Sequence, residues 1–126
     1  MSALEDACVA TPASLAPGET PQDRSAAAFV TQLVAMAMDI TPQDIAARSR
    51  KDNRAARARH LAMYLTYAGY GWPLAKVALA FSRDRSTVTW ACEKIEDLRD
   101  KDAKLDAVLE ACEATIRAAP RQGALT

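Results

Sequence analysis

Apolar positions recur at helical spacing over most of the chain, and nowhere do polar and apolar residues alternate well enough to define a strand. Residues 1–24, with Pro12, Pro17, Gly18 and Pro21 among Ala, Ser and Thr, show no lasting period and read as an acidic, disordered tail. Ser25 is a candidate N-cap for a helix to about Met38, with Phe29, Val30, Leu33, Val34 and Ala37 on one face. Thr41 and Pro42 pair a cap with a first-turn proline, predicting a short helix through Ile45 to about Ala47. From Arg54, Ala58, Leu61, Ala62, Leu65 and Ala68 form the stripe of a longer helix, which Gly69, Tyr70 and Gly71 interrupt. Pro73 opens another helix with Leu74, Val77, Ala78 and Phe81 inward. Ser82 and Arg83 form a tight connection, and Asp84 is placed to cap a helix whose inner face is Val88, Ala91, Cys92, Ile95 and Leu98. Leu105, Val108, Leu109, Cys112 and Ile116 mark a last helix, ended by Pro120 and Gly123, with residues 120–126 a flexible terminus. The expected fold is all-α, one multi-helix domain over residues 25–119.

Charge changes this picture. The 126 residues carry 16 Lys and Arg against 16 Asp and Glu, so the sum is zero. The charges are segregated, however. Arg48, Arg50, Lys51, Arg54, Arg57, Arg59, Lys76, Arg83, Arg85 and Lys94 face only Asp52, Asp84 and Glu93 across residues 48–94. Acidic excess lies before this stretch and in Glu96 to Glu113. A basic middle between acidic flanks is suited to phosphates. Cys8, Cys92 and Cys112 have no metal-ligand spacing, and His60 has no companion ligand, so no metal or other cofactor is expected. Glu5 and Asp6 stand where a secretory leader would be basic, and no apolar run reaches membrane-spanning length; a cytoplasmic, nucleoid-associated protein is expected.

Two short helices joined by a tight turn are commonly a packing unit, but this pair carries more. Ala78 is small where the helices must cross, and Val77, Phe81 and Val88 can fill the joint. The leading turn of the second helix reads DRSTV, placing Asp84, Arg85, Ser86 and Thr87 where a helix entering the major groove meets base edges. Thr89 and Trp90 share its outward face. This is helix-turn-helix patterning, with phosphate attraction available from the basic segment before it.

The segments RARHLAMYL and LAKVALAFSRDRSTVTWACEKIEDLR resemble the carboxy-terminal DNA-binding domain, domain IV, of the bacterial replication initiator DnaA. The likeness covers about residues 26–117. That family opens its second motif helix with a pattern close to Arg-Asp-His-Ser/Thr-Thr-Val, matched here by Arg83, Asp84, Ser86, Thr87 and Val88, and continued by Ala91, Cys92, Lys94 and Ile95. The resemblance implies a Trp-repressor-like helix-turn-helix that binds double-stranded DNA at DnaA-box-like sites and regulates replication initiation or transcription. It implies that Arg57 enters the minor groove while Asp84, Ser86 and Thr87 approach bases and phosphates from the major groove. Asp84 is equally readable as an N-cap alone. Arg54, Arg50, Lys51 and Lys94 are candidate phosphate contacts or ordinary solvated charges, and Trp90 a DNA contact or a partly buried ring.

Several positions depart from the family. Arg85 replaces a histidine, giving a permanently charged fork that can grip guanine or phosphate. Ala58 replaces a proline between Arg57 and Arg59, Ala75 replaces another, the turn lacks expected glycines, and Asp52 interrupts the basic connector. No GxxxxGK[ST] loop is present to bind nucleotide, and no nucleophile, carboxylate or metal constellation supports an enzyme. Two alternatives stand beside the DnaA-box reading: a transcription factor with an unrelated operator, and a weakly DNA-binding module that contacts the initiator or its regulators through Trp90 or the Tyr64, Tyr67, Tyr70 and Trp72 cluster.

Overall fold

The computed structural model describes residues 18–46 and 53–119, which form six helices. They are α1 (Pro21–Met38), α2 (Pro42–Ala46), α3 (Asn53–Tyr70), α4 (Leu74–Phe81), α5 (Arg85–Lys101) and α6 (Ala103–Ala118). The all-α expectation holds across these residues.

Helix α1 begins four residues before the Ser25 cap expected from the periodicity. Thr20 is the N-cap, its hydroxyl accepting from the Asp23 amide at 3.1 Å, and Pro21 takes the first turn. This is the cap-and-proline device recognised at Thr41 and Pro42, obscured here because Gln22, Asp23 and Arg24 add no apolar period. Residues 21–24, assigned by periodicity to the tail, are therefore helical, while residues 1–17 lie outside the described region. Just before the cap, Gly18 has φ +95°, and a Cβ there would stand 2.5 Å from the Lys76 carbonyl oxygen. Only glycine lets this turn lie so closely on α4. The contact is tied by Asp23, which accepts from the Gly18 amide at 2.8 Å and meets the Lys76 ammonium at 3.2 Å.

Helix α3 is the axle of the domain, touching every other helix. All six residues from Leu61 to Thr66 are buried, so the packing surface extends well around it rather than along one stripe. Ala68, expected inward, is exposed. The fully buried Thr66 hydroxyl donates to the Ala62 carbonyl at 2.8 Å. Near the end of α3, a Cβ on Gly69 would meet the Ile116 side chain at 3.1 Å, which explains the small residue where α3 packs on Ile116 of α6. Val30, Val34, Leu65, Val77, Val88, Ile95 and Leu109 complete the centre. Each such aliphatic side chain contributes about 1.5–3 kcal/mol on burial.

One largely covered cation locks the far end. Arg99 of α5 donates through Nε to Asp106 at 2.7 Å, and through Nη1 to Glu113 at 2.9 Å and the Tyr64 hydroxyl at 3.0 Å. Helices α3, α5 and α6 thus meet on one guanidinium. Burial opposes its charge, but these hydrogen bonds outweigh that effect and raise its pKa above the ordinary arginine value. Asp102 ends α5 and caps α6, accepting from the Lys104 and Leu105 amides at 3.1 Å each.

Candidate nucleic-acid interface

The turn between α4 and α5 is set by one residue that would ordinarily avoid its geometry. Ser82 caps α4 in the left-handed conformation at φ 54°, where glycine is most at ease. The Arg83 amide returns to the Ala78 carbonyl at 2.9 Å, closing the turn. Ala78, Val77 and Val88 are buried at the crossing and Phe81 is half-buried, so the joint is filled as its spacing implied.

Asp84 occupies the N-cap of α5 with extended backbone (φ −69°, ψ 148°), but its side chain makes no capping hydrogen bond. The cap position and the cap bond are therefore separable here, and the carboxylate is exposed beside the helix start. The first main-chain bond of α5 joins the Val88 amide to the Asp84 carbonyl at 3.1 Å, so the Arg85, Ser86 and Thr87 amides precede the helical ladder. Arg85 and Ser86 are exposed and Thr87 is half-buried. Thr89 turns its hydroxyl back to the Arg85 carbonyl at 3.0 Å.

Between this end of α5 and the middle of α3 lies a groove of about 800 Å³. His60 and Arg59 from α3, Arg83 and Asp84 from the turn, and Thr87 and Trp90 from α5 line it. Trp90 is 51 % exposed, so its ring is part covered by the protein and part open to solvent. It meets the His60 ring edge-on (centroids 5.2 Å apart, 80° between planes), and the Lys94 ammonium lies 4.7 Å over its face. Burial first, then the charges of Lys94, Arg59 and Arg83, lower the His60 pKa below 6.5. In the sequence His60 is only a histidine without companion ligands; its contact with Trp90 of α5 is legible only in the fold.

The remaining sequence candidates separate. Arg57 is exposed on α3, beyond the groove wall. Arg54 reaches back across the chain to donate to the Met38 carbonyl and, at 3.2 Å, to the Asp39 carbonyl, bracing the carboxyl end of α1. Arg83 donates to the Phe81 and Ser82 carbonyls at 3.4 and 3.2 Å while lining the groove. Arg50 and Lys51 lie outside the described residues. Arg59, counted with the basic middle of the chain, is instead buried and donates to the Ile45 carbonyl at 3.4 Å. Of the aromatic cluster, Tyr64 and Trp72 are buried and Tyr67 is 38 % exposed.

A short helix, a turn closed by a left-handed residue, and a longer helix presenting polar groups at its leading end define the class: a DNA-binding helix-turn-helix domain. Comparison with known proteins specifies it. The model of the bacterial DnaA protein helix-turn-helix matches residues 27–95, and the chain belongs to that family. Chromosomal replication initiator protein DnaA 2 of Chlamydia trachomatis is 33 % identical over 87 residues, as is its counterpart in Chlamydia muridarum. In each case the match takes in 69 % of this chain and 19 % of the relative, so the chain spans about a fifth of their length. A solved structure titled as a DNA replication initiation factor superposes with a TM-score of 0.66 at 25 % identity, over 75 % of this chain and 29 % of that one. The family's helix-turn-helix is a DNA-binding domain and not a catalytic one. No described helix is long and apolar enough to cross a membrane.

Proposed function

We propose that this protein binds double-stranded DNA sequence-specifically at DnaA-box-like sites and regulates initiation of chromosomal replication or transcription, as a nucleoid-associated protein of the cytoplasm. The observation that carries the reading is the leading turn of α5, where the Asp84 carboxylate is left outside its cap bond beside Arg85, Ser86 and Thr87. Asp84 accepts from a cytosine amino group, the Thr87 methyl touches a thymine methyl, and Arg85 takes guanine or phosphate. Arg57 enters the adjacent minor groove, where its guanidinium suits a narrow, negative channel. Arg83, Lys94, Arg50 and Lys51 supply phosphate attraction, and the Thr89 methyl and Trp90 supply apolar contact along the groove edge.

Binding of a labelled DnaA-box duplex and a scrambled duplex, measured against salt, tests this. The box is bound more tightly by about tenfold or more, and affinity falls steeply with salt, by about 0.9 in the logarithm per phosphate contacted. Arg57→Ala weakens binding to both duplexes, whereas Thr87→Ala narrows the difference between them. Equal, weak affinity for the two duplexes refutes sequence-specific reading of the box. Selection from random duplexes that returns a different sequence assigns the protein an unrelated operator instead. The exposure of Trp90 supports a second reading, a module that contacts the replication initiator or its regulators through this ring. On that reading Trp90→Ala abolishes binding to such a protein and leaves duplex affinity unchanged.

A further inference from the structure

We propose that the groove between α3 and α5 is a phosphate site in which His60 takes up a proton as the anion enters. The inference rests on the DNA-binding reading for the source of that phosphate, a nucleic-acid backbone lying across the leading end of α5. Its support is the composition of the groove.

Arg59 from its own helix and Arg83 from the turn line the groove with the imidazole, and Lys94 of α5 lies over the Trp90 ring that meets it. Among the described residues, Asp84 is the one carboxylate on the groove wall. The ring itself is half-buried and held edge-on by Trp90, whose other neighbour is the Lys94 ammonium. Such a cluster repels a further positive charge, so in the free protein the ring is neutral near pH 7. A phosphate placed among these groups reverses the local sign. It screens the ring from the three cations and rewards protonation directly, because imidazolium presents two N–H donors where neutral imidazole presents one. The proton comes from solvent, and no bond other than the N–H is made.

The sign of the linkage follows. A group whose proton affinity is higher in the complex than in the free protein tightens binding as pH falls through the interval between its two midpoints. The free midpoint lies below 6.5. Between pH 7.5 and 5.5, at constant ionic strength, affinity for duplex therefore rises about three- to tenfold through this one group. The readout is clean because His60 is the only histidine of the chain.

The proton resonances of the His60 ring, followed against pH by NMR, report its midpoint directly in the whole protein alone, with DnaA-box duplex, and with sulfate, whose charge is constant over this range. A chloride control at matched ionic strength separates binding from screening. The expected result is a midpoint that moves up with duplex and, less, with sulfate, together with loss of the pH-dependent part of duplex affinity in His60→Gln, which keeps an uncharged polar group at the position. An unmoved midpoint in the presence of bound duplex overturns the site. An upward shift with sulfate in a protein that binds no duplex supports the anion site and refutes the proposed function, so the two failures are distinct. If neither anion moves the midpoint, the site is refuted whatever the duplex affinity.

Discussion

Replacing Arg99 by Met removes the guanidinium while keeping a side chain of similar reach. Arg99 and Glu113 are each only 15 % exposed, so the change strands the Glu113 carboxylate in a largely desolvated place and deprives the Tyr64 hydroxyl of its donor. Asp106, 42 % exposed, rehydrates with little loss. Breaking a fully buried ion pair by removing one member costs about 3–5 kcal/mol, and an exposed pair is worth about 0–1 kcal/mol. This pair lies nearer the first limit, giving about 2–3 kcal/mol, or a fall in Tm of about 10–20 °C for a domain of this size. Urea denaturation followed by circular dichroism measures it. The companion variant Arg99→Met with Glu113→Leu removes the stranded charge and recovers about half of the loss, because the penalty belongs to an unpaired carboxylate more than to a missing attraction. A single-variant cost below about 1 kcal/mol, or a double variant no more stable than the single, refutes this account.

Ser82→Gly relieves a left-handed residue at the α4 cap and raises Tm by about 3–6 °C in a thermal melt, the gain being reduced by the extra freedom glycine brings to the unfolded chain. Asp23 gives an acid-side signature. Burial works to raise its pKa, but the Gly18 amide, the Thr20 hydroxyl and the Lys76 ammonium outweigh it and hold the carboxyl below 3.8. A depressed carboxyl stabilises the fold fully above its unfolded value and loses that contribution as pH falls through the folded one, so the urea-midpoint gap between the parent and Asp23→Asn is widest near pH 6 and closes below about pH 4. Burial, with Glu96 and Glu93, pushes the Cys92 thiol up to about 11, and burial with Glu113 raises that of Cys112. In a Cys8→Ser background, a thiol-specific disulfide reagent at pH 8 labels neither cysteine on mixing and both after denaturation; fast labelling of the native protein contradicts their burial.

What the sequence made legible is what depends on near neighbours. The stripes through Val30 and Val34, Val77 and Ala78, and Val88, Ala91, Cys92 and Ile95 are all buried, because a helix needs only its own period to declare an inner face. The turn at Ser82 and Arg83, the cap position of Asp84 and the polar leading end of α5 were likewise readable from adjacent residues. The failures are of longer reach. Ala68 falls on the α3 stripe but is exposed, because the axle helix buries a broad arc near its middle and opens towards its end. Arg99 looked like one charge in the run from Asp97 to Asp102, yet its tyrosine partner lies 35 residues away. Periodicity carries no information about such a pairing.

The same distinction revises the basic middle of the chain. Arg54 is engaged by carbonyls at the end of α1, Arg59 by the Ile45 carbonyl, and Lys76 by Asp23 and the face of Trp72 at 4.2 Å. Arg54 and Arg59 hold α1 and α2 against the axle helix and Lys76 ties α4 to α1, so a count of positive charge along the sequence overstates what is poised to meet phosphate. Arg57 and Arg85 are exposed, and Arg83 and Lys94 stand around the groove. Affinity that rests on so few described cations cannot come from diffuse attraction alone; it needs each contact placed on a rigid frame. The frame is what Arg54, Lys76 and Arg99 supply, through the seating of α1, α4 and α5. On this argument the structural cations govern binding indirectly, by fixing the angle between α3 and α5 at which Arg57 and the α5 edge can engage one duplex together.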